Sequence, residues 1–332
     1  MNLQHRIDLL VQLGLYISDD SQEWQQAKVK AGQENGWFIP EFVECSVKNI
    51  AASFLQKNIL EEWAVAYSIP QERAQPRTVG IIMAGNIPLV GFHDWLSVFV
   101  SGHKALVKPS SKDSVLIKHL AEKINEWDTA AGSMTVFADM LKGCDAYIAT
   151  GSNNSSRYFE YYFRNYPHII RSNKTSAAIL TGIESPKELK LLADDVHLYF
   201  GLGCRNVTKI YVPEGYDFVP LLEAFKKYNY LAEHHKYKNN YDYNLALHIL
   251  NKKYYMSSGS LLLVEEPSVF SPISQLNYEF YSDRQQLEDS IQKMDELQCV
   301  TGAGHLSFGQ AQCPGINDYA DAVDTMDFLA RL

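Results

Sequence analysis

Residues 78–88 read TVGIIMAGNIP, and this stretch decides the fold class. A β-branched, apolar run ends at a glycine, an asparagine and a proline, which is the pattern of a strand that turns into a helix. Asn86 suits the cap of that helix and Pro88 its first turn. A second interpretation directs the Asn86 side-chain amide into the cleft at the carboxyl edge of an open α/β sheet, where such sheets bind ligands.

The same strand-and-helix alternation continues on the C-terminal side of this stretch. Strands are predicted within residues 101–111, 145–150, 175–182 and 206–213, and helices over residues 88–100, 115–127, 158–163 and 185–203. This spacing predicts an α/β fold in which helices cover both faces of a parallel sheet. The leading prediction is a doubly wound, Rossmann-like cofactor domain followed by a second α/β domain, with a helical region ahead of both.

Composition and charge exclude several classes of protein. The 332 residues include 30 basic and 39 acidic side chains, a net charge of −9 that disfavours binding to nucleic acid. Polar residues interrupt the N-terminal apolar residues, so neither a signal peptide nor a membrane span is predicted. The five cysteines show no spacing typical of zinc ligands, so we expect no metal site and a reduced, cytoplasmic protein.

Two further polar turns follow predicted strands. Lys108 ends one strand in LVKPSS, and Gly151 and Ser152 follow another in IATGSNNSS. A solvated turn is the ordinary interpretation of each. Together with the Asn86 turn they favour a dinucleotide site, because a lysine reaches ribose or phosphate oxygens and a helix N-terminus binds a pyrophosphate.

Cys204 lies in FGLGCRNVTK, between glycines and a β-branched run. A lone cysteine is usually a buried filler, and four of the five are expected to be of that kind. The flanking glycines remove bulk around Cys204, as a sulfur that attacks a carbonyl requires. A nucleophilic thiol also needs a base or favourable electrostatics, for which Arg205 and Lys174 are candidates by charge alone.

In order along the chain, GNIP, KALVKPSS, ATGS and GLGC with RNVTKIYV resemble the signature of the aldehyde dehydrogenase superfamily. The resemblance covers residues 78–272 and implies an aldehyde dehydrogenase-like fold. It also implies that Cys204 is the catalytic nucleophile and Asn86 the oxyanion donor. Lys108, Gly151 and Ser152 are implied to bind the cofactor.

Within this superfamily the chain most resembles the LuxC-type acyl-CoA reductases. Ile170 stands where hydrolytic members carry the glutamate that activates water, and Ser111 stands where members that prefer NAD carry a glutamate. NADPH is therefore expected, with NADH left open. EEPSVFSPI resembles a cofactor-binding element; Phe270 is carried over as a cofactor residue, although serines replace the element's glutamate and glycine at 268 and 271.

The resemblance implies NADPH-dependent reduction of an acyl-CoA, or of an acyl-carrier thioester, to an aldehyde. The alternatives are an ordinary NAD(P)-dependent aldehyde dehydrogenase and a degenerate nucleotide-binding member without activity. The implied organisation has helices and a dinucleotide-binding domain over residues 1–182 and a catalytic domain over 183–305. Residues 306–332 return to the cofactor domain or to a subunit interface, and a homo-oligomer stays open.

Overall fold

The computed structural model describes residues 1–332, apart from the side chain of Asn153. The chain divides into two compact units. The first comprises residues 1–173 together with 314–332, and the second comprises residues 174–313. Each unit has its own sheet, and the two are described separately below.

The first unit begins with four helices, which are α1 (Leu3–Ser18), α2 (Gln22–Glu34), α3 (Pro40–Ser53) and α4 (Lys57–Ala66). Strands and helices then alternate, as β1 (Thr78–Ile82), α5 (Phe92–Ser101), β2 (Lys104–Lys108), α6 (Val115–Trp127), α7 (Thr129–Gly132), β3 (Thr135–Phe137), β4 (Ala146–Thr150), α8 (Asn153–Phe163) and β5 (His168–Arg171). The five strands pair in the order β3-β2-β1-β4-β5, and every pair is parallel. This order is that of a doubly wound sheet, so the carboxyl ends of β1, β2 and β4 lie side by side.

The second unit contains β6 (Thr175–Ile179), α9 (Pro186–His197), β7 (Val207–Pro213), α10 (Val219–Phe225), α11 (His235–Leu250), β8 (Met256–Ser257), β9 (Leu262–Glu265), β10 (Gln275–Tyr281), α12 (Arg284–Ile291) and β11 (Leu297–Gly302). Its six strands pair in the order β11-β6-β7-β10-β9-β8. Only the short β8–β9 pair is antiparallel among the described strands. Helix α13 (Thr325–Ala330) follows in the part of the chain that returns to the first unit.

Burial explains why the central elements form. Strands β4 and β6 are buried along almost their whole length, as expected for strands of a parallel sheet covered on both faces. Helix α5 is buried at nine of its ten positions, so the apolar run that precedes β2 is core rather than surface. Gly102 ends this helix in the left-handed conformation that glycine adopts without strain.

The predicted α/β fold class is confirmed, and three details differ from expectation. The strand Thr175–Ile179 was assigned to the cofactor domain by the boundary after residue 182, but it pairs with β7 and β11 in the second sheet. The pattern of residues 218–237 predicts one helix, but the structure has α10, a 3₁₀ segment over Lys226–Glu233, and the start of α11 in this region. The tyrosines and asparagines of KYKNNYDYNLA, residues 236–246, predict a surface loop that leads into a helix, but the whole stretch lies within α11.

Candidate active site

The turn that carries Asn86 packs tightly against the turn that follows β2. The N–H of Met83 donates to the carbonyl oxygen of Lys108 at 3.1 Å, which extends the β1–β2 pairing by one residue. A Cβ on Gly85 would lie 2.5 Å from Ser110 Oγ, closer than real Cβ atoms approach. Glycine is therefore required at position 85, and the exposed Asn86 follows immediately at the carboxyl edge of the sheet.

Two buried side chains anchor the other end of this turn. The carboxylate of Asp113 accepts the N–H of Leu89 at 2.7 Å, and the hydroxyl of Ser46 donates to the carbonyl oxygen of Pro88 at 2.7 Å. Leu89 has a φ of 58°, a left-handed conformation that is strained for a leucine. Burial raises the pKa of Asp113 to about 7, against the opposing effect of the Leu89 hydrogen bond.

The predicted cofactor residues of the first unit lie at the carboxyl ends of β2 and β4. Lys108 and Ser111 are exposed, and Ser152 is the exposed N-cap of α8, where its hydroxyl accepts the N–H of Ser155 at 3.4 Å. The N–H of Gly151 donates to the carbonyl oxygen of Arg171 at 3.3 Å. Lysine and serine donors grouped at a sheet edge suit the ribose and phosphate oxygens of a dinucleotide.

Gly151 is required for steric reasons. A Cβ at this position would lie 2.8 Å from the Phe159 ring and 2.9 Å from the Cβ of Ser155, both on α8. The missing side chain lets the turn after β4 close onto the first turns of the helix. Cofactor binding by Gly151 stays a prediction. What the structure displays at this position is a tight turn, not an N–H that is available to a cofactor.

Cys204 of the second unit follows a strained turn at the end of α9. Tyr199, Phe200 and Gly201 have φ values of 55°, 57° and 73°, so three successive residues are left-handed. Only the glycine adopts this conformation without a steric penalty, and side chains with φ above zero are held there by surrounding contacts. The turn reverses the chain so that half-buried Cys204 stands just before β7.

Asn206 holds the strained turn in place. Its side-chain oxygen accepts the N–H of Gly203 at 2.8 Å, and its side-chain nitrogen donates to the carbonyl oxygens of Leu198 and Asp195 at 2.8 Å and 3.1 Å. Asn206 itself is fully buried. One amide therefore ties both sides of the cysteine turn to the end of α9.

Ser176 anchors Cys204 from the neighbouring strand. Its hydroxyl, which is fully buried, donates to the carbonyl oxygen of Cys204 at 3.0 Å. The hydroxyl oxygen of Ser176 accepts the N–H of Cys299 at 3.2 Å and lies 3.1 Å from the Cys299 sulfur. Strands β6, β7 and β11 thus meet around the backbone of the predicted nucleophile.

The basic residues near Cys204 make contacts of their own. Arg205 donates to the carbonyl oxygen of Ala311 at 3.4 Å, and the Lys174 ammonium donates to the carbonyl oxygen of Asp295. Lys209, the basic residue of the motif after the cysteine, is fully buried and pairs with Glu279 at 2.8 Å. Burial lowers the pKa of Lys209. Its hydrogen bonds to Glu279 and to the carbonyl oxygen of Glu266 give it a structural role within the sheet.

The loop that carries Phe270 is anchored to both neighbouring strands. Thr208 on β7 donates to the carbonyl oxygen of Val269 at 2.6 Å, and Asn277 on β10 donates to that of Phe270 at 3.1 Å. Ser268 also donates its hydroxyl to the Phe270 carbonyl oxygen, at 2.9 Å. The serine in place of the expected glutamate therefore helps to hold the loop, in which Phe270 is 38% exposed.

Ile170 packs into an apolar cluster of the first unit. The buried members of that cluster are Cys144, Tyr147, Ala149 and Phe163. An isoleucine cannot accept a proton, and the contacts of Ile170 give it a packing role in this chain.

Sequence reasoning missed the residues that position the turns. Asp113, Ser176 and Asn206 are buried and bind backbone atoms of the Asn86 and Cys204 turns. Asn206 lies only two residues after Cys204, which is a signal that could have been used. Ser176 gave no signal, because its contact depends on strand pairing far from the cysteine in sequence.

The sequence profile of the family described as acyl-CoA reductase (LuxC) matches residues 43–222, more than half of the 332-residue chain. The chain belongs to the LuxC family. This membership, together with the fold, supports an oxidoreductase that acts on aldehydes. No curated protein shows detectable sequence similarity to this LuxC family member.

Several solved structures that share the fold of the LuxC chain are aldehyde dehydrogenases. An enzyme from Mycobacterium tuberculosis, solved with NAD⁺, has a TM-score of 0.66 and 13% identity over 91% of this chain and 73% of that chain. An NAD⁺ complex from Bacillus cereus has a TM-score of 0.65 and 13% identity over 91% and 72% of the respective chains. Aldehyde dehydrogenase 21 from Physcomitrella patens, solved with succinate, has a TM-score of 0.65 and 11% identity over 91% and 74%. At these identities the likeness shows the fold alone.

Two features are absent from the described part of the LuxC chain. Among the described side chains, no group of three or more His, Cys, Asp and Glu residues is arranged to hold a metal ion. Within the described residues, no helix combines the length and the apolar run needed to cross a membrane.

Proposed function

We propose that this protein reduces an acyl thioester, such as an acyl-CoA, to the aldehyde with NADPH, through an acyl group carried on Cys204. The position of Cys204 carries this proposal: a half-buried thiol stands on a strained turn that Asn206 and Ser176 hold against the sheet. A buried filler cysteine does not need such a turn. The name of the family supplies the substrate class.

The chemical role of Cys204 begins with its thiolate. The sulfur attacks the carbonyl carbon of the thioester, and the bond between that carbon and the CoA sulfur breaks, so that CoA leaves as a thiolate. The Asn86 amide and the backbone N–H of Cys204 donate hydrogen bonds to the oxyanion that forms on the way, a typical arrangement for acyl transfer. The acyl group is then held on Cys204 as a new thioester.

The residues at the edge of the first sheet fit a reduced nicotinamide dinucleotide. Lys108 and the Ser152 hydroxyl supply a cation and a donor for phosphate or ribose oxygens. Ser111 leaves room for a 2′-phosphate, which Lys108 or Lys112 meets with positive charge. When bound, NADPH supplies the hydride that converts the acyl group to the oxidation level of an aldehyde. Release of the aldehyde breaks the bond to Cys204 and regenerates the thiolate.

The apolar surroundings of Ile170 support reduction over hydrolysis. In hydrolytic members of the superfamily a glutamate removes a proton from water, and that water then attacks the acyl-cysteine; Ile170, packed among apolar side chains, supplies no such base. The acyl group therefore persists on Cys204 long enough to be reduced, or to be returned to CoA.

NADPH consumption with a panel of acyl-CoA chain lengths tests this function directly. We expect oxidation of NADPH at 340 nm that depends on the acyl-CoA and yields one aldehyde per NADPH. If no acyl-CoA or acyl-carrier protein supports NADPH oxidation, while NADP-dependent oxidation of a free aldehyde is rapid and releases a free acid, the chain is an ordinary aldehyde dehydrogenase.

Trapping of the acyl-enzyme tests the role of Cys204. Incubation with radiolabelled acyl-CoA and no NADPH should label the wild-type chain, and Cys204→Ala should abolish both label and turnover while NADPH binding stays measurable. Cys313→Ala is the matched control, since Cys313 is an exposed cysteine of the same unit. A wild-type chain that binds NADPH but never takes up label is a nucleotide-binding protein without this activity.

A further inference from the structure

The Asn86 turn and the Lys108 turn form one interlocked structure, which contains the proposed oxyanion donor and the proposed cofactor lysine. The two strands that lead into them are paired in parallel register, with Ile82 opposite Lys108. The backbone at Gly85 touches Ser110, whose carbonyl oxygen accepts the N–H of Asp113 at 3.1 Å. A displacement of either turn therefore displaces the other.

The side chain of Asp113 links the Lys108 turn to the Asn86 turn. It follows Ser111 by two residues, and its Cβ would lie 3.2 Å from a Cβ on Gly85. Its carboxylate reaches back across the gap to the N–H of Leu89, three residues after Asn86. Only 6% of its surface is exposed, although an aspartate is seldom buried so deeply unless it is paired.

The hydrogen bonding of Asp113 is incomplete for a purely structural carboxylate. Its Oδ2 binds Leu89, whereas its Oδ1 is buried and has no hydrogen-bond partner among the described residues. A buried polar atom without a partner is destabilising, and so is the left-handed Leu89 that Asp113 contacts. These two unfavourable features occur at the same contact, which indicates that the contact meets a requirement other than stability.

We propose that Asp113 is a positioning residue that fixes the Asn86 amide relative to the cofactor turn. The proposal rests on the function proposed above, because it acts through the oxyanion contact of Asn86. The carboxylate holds Leu89 left-handed, and this bend sets the path of residues 86–88. Without the bond from Asp113, the Asn86 amide samples other directions while Lys108 keeps its place at the end of β2.

A double-mutant cycle between Asp113→Ala and Asn86→Ala tests the proposal. We expect Asp113→Ala alone to lower kcat roughly tenfold, as the loss of a buried hydrogen bond to a charged group implies, while the Kd of NADPH changes less than about threefold. In the Asn86→Ala background the same substitution should have almost no further effect on kcat, since the group that it positions is absent. A merely structural role would lower kcat by the same factor in both backgrounds.

Asp113→Asn is the conservative variant and guards against loss of folding. Its side-chain oxygen still accepts the Leu89 N–H, so we expect it to restore most of kcat. Asp283→Ala is the matched control, because Asp283 also binds backbone N–H groups, at 2.8 Å and 3.2 Å, but caps helix α12 of the second unit. It should leave kcat within about twofold of wild type.

The outcomes separate the two proposals. Equal factors for Asp113→Ala in both backgrounds, or an Asp113→Asn variant as slow as Asp113→Ala in a folded chain, overturn the role of Asp113 and leave the proposed function intact. An Asn86→Ala variant with wild-type kcat overturns the oxyanion contact itself, and the role of Asp113 with it.

Discussion

The side-chain oxygen of Asn206 accepts the N–H of Gly203 at 2.8 Å, and this bond spans the cysteine between them. The amide nitrogen of Asn206 binds carbonyl oxygens at the end of α9. The turn at Tyr199 and Phe200 is strained, so it depends on these bonds for its shape. Asn206 therefore determines how Cys204 is presented more directly than any charged residue nearby.

Asn206→Ala should lower both stability and acyl transfer. The substitution leaves the buried N–H of Gly203 and several carbonyl oxygens without their partner, so we expect the free energy of unfolding to fall by about 2 to 4 kcal/mol. Chemical denaturation measures that loss, and the rate of acyl labelling should fall together with it. An unchanged denaturation midpoint with unchanged labelling would contradict this account of the turn.

Asn86→Ala should affect catalysis without affecting stability. Removal of one oxyanion donor lowers kcat by roughly 10²–10³ in enzymes of this kind. Because Asn86 is exposed, the thermal unfolding midpoint of the Asn86→Ala variant should stay within about two degrees of that of wild type. Single-turnover acylation of Cys204 is the measurement, and Asn86→Gln, which keeps the amide but moves it, serves as the comparison.

Ser111→Glu should change the cofactor preference. A carboxylate at this exposed position repels a 2′-phosphate and accepts hydrogen bonds from the free ribose hydroxyls of NADH. The ratio of kcat/KM for NADPH to that for NADH should fall by roughly tenfold or more. Lys112→Gln is the companion variant, expected to weaken NADPH and to leave NADH unaffected. Equal losses for both cofactors would show that the turn lies away from the 2′-position.

His197 should make the second unit less stable in acid. The ring is fully buried, donates from Nδ1 to the carbonyl oxygen of Ala193 at 2.8 Å and stacks on Tyr228 with centroids 4.8 Å apart. Burial lowers the pKa of His197 from 6.5 to about 4. Between these two pH values the unfolded chain binds a proton that the folded chain does not, so stability falls as the pH falls.

The matched variant for this pH effect is His197→Phe, which keeps an aromatic ring and removes the titration. Its free energy of unfolding should exceed that of wild type increasingly as the pH drops from about 6.5 to 4, with a difference that changes by up to about 1.4 kcal/mol per pH unit. Urea denaturation at several pH values gives the two curves. Parallel curves would mean that His197 is already accessible to protons in the folded chain.

The sequence predicted the inner strands of the sheets better than the short edge strands. Apolar runs bounded by turn residues predict strands β1, β2, β4 and β7 and helix α6. Strands β3 and β5 have only three and four residues, and a run this short carries little periodicity. Their place at the two edges of the sheet depends on the strands beside them.

Helix α11 illustrates why part of the second unit was predicted wrongly from the sequence. Its many tyrosines and asparagines have low intrinsic helix propensity, and this composition led to the prediction of a loop. Tertiary contacts override that preference: Tyr237 is buried, and the Asn244 amide donates to the carbonyl oxygen of Ile273 at 2.9 Å. Such contacts cannot be read from a local pattern. The same is true of the bonds that Asp113 and Ser176 make to the two turns.

The apolar cluster around Ile170 also limits how this chain can change. An Ile170→Glu substitution sets a carboxylate against the apolar cluster of Tyr147, Phe163 and the buried thiol of Cys144, where partial burial raises its pKa and favours the protonated acid. A protonated acid cannot take a proton from water. A single substitution at position 170 therefore does not produce a hydrolase. Several neighbouring residues would also have to be replaced, in evolution or by design, before a glutamate there could act as a base.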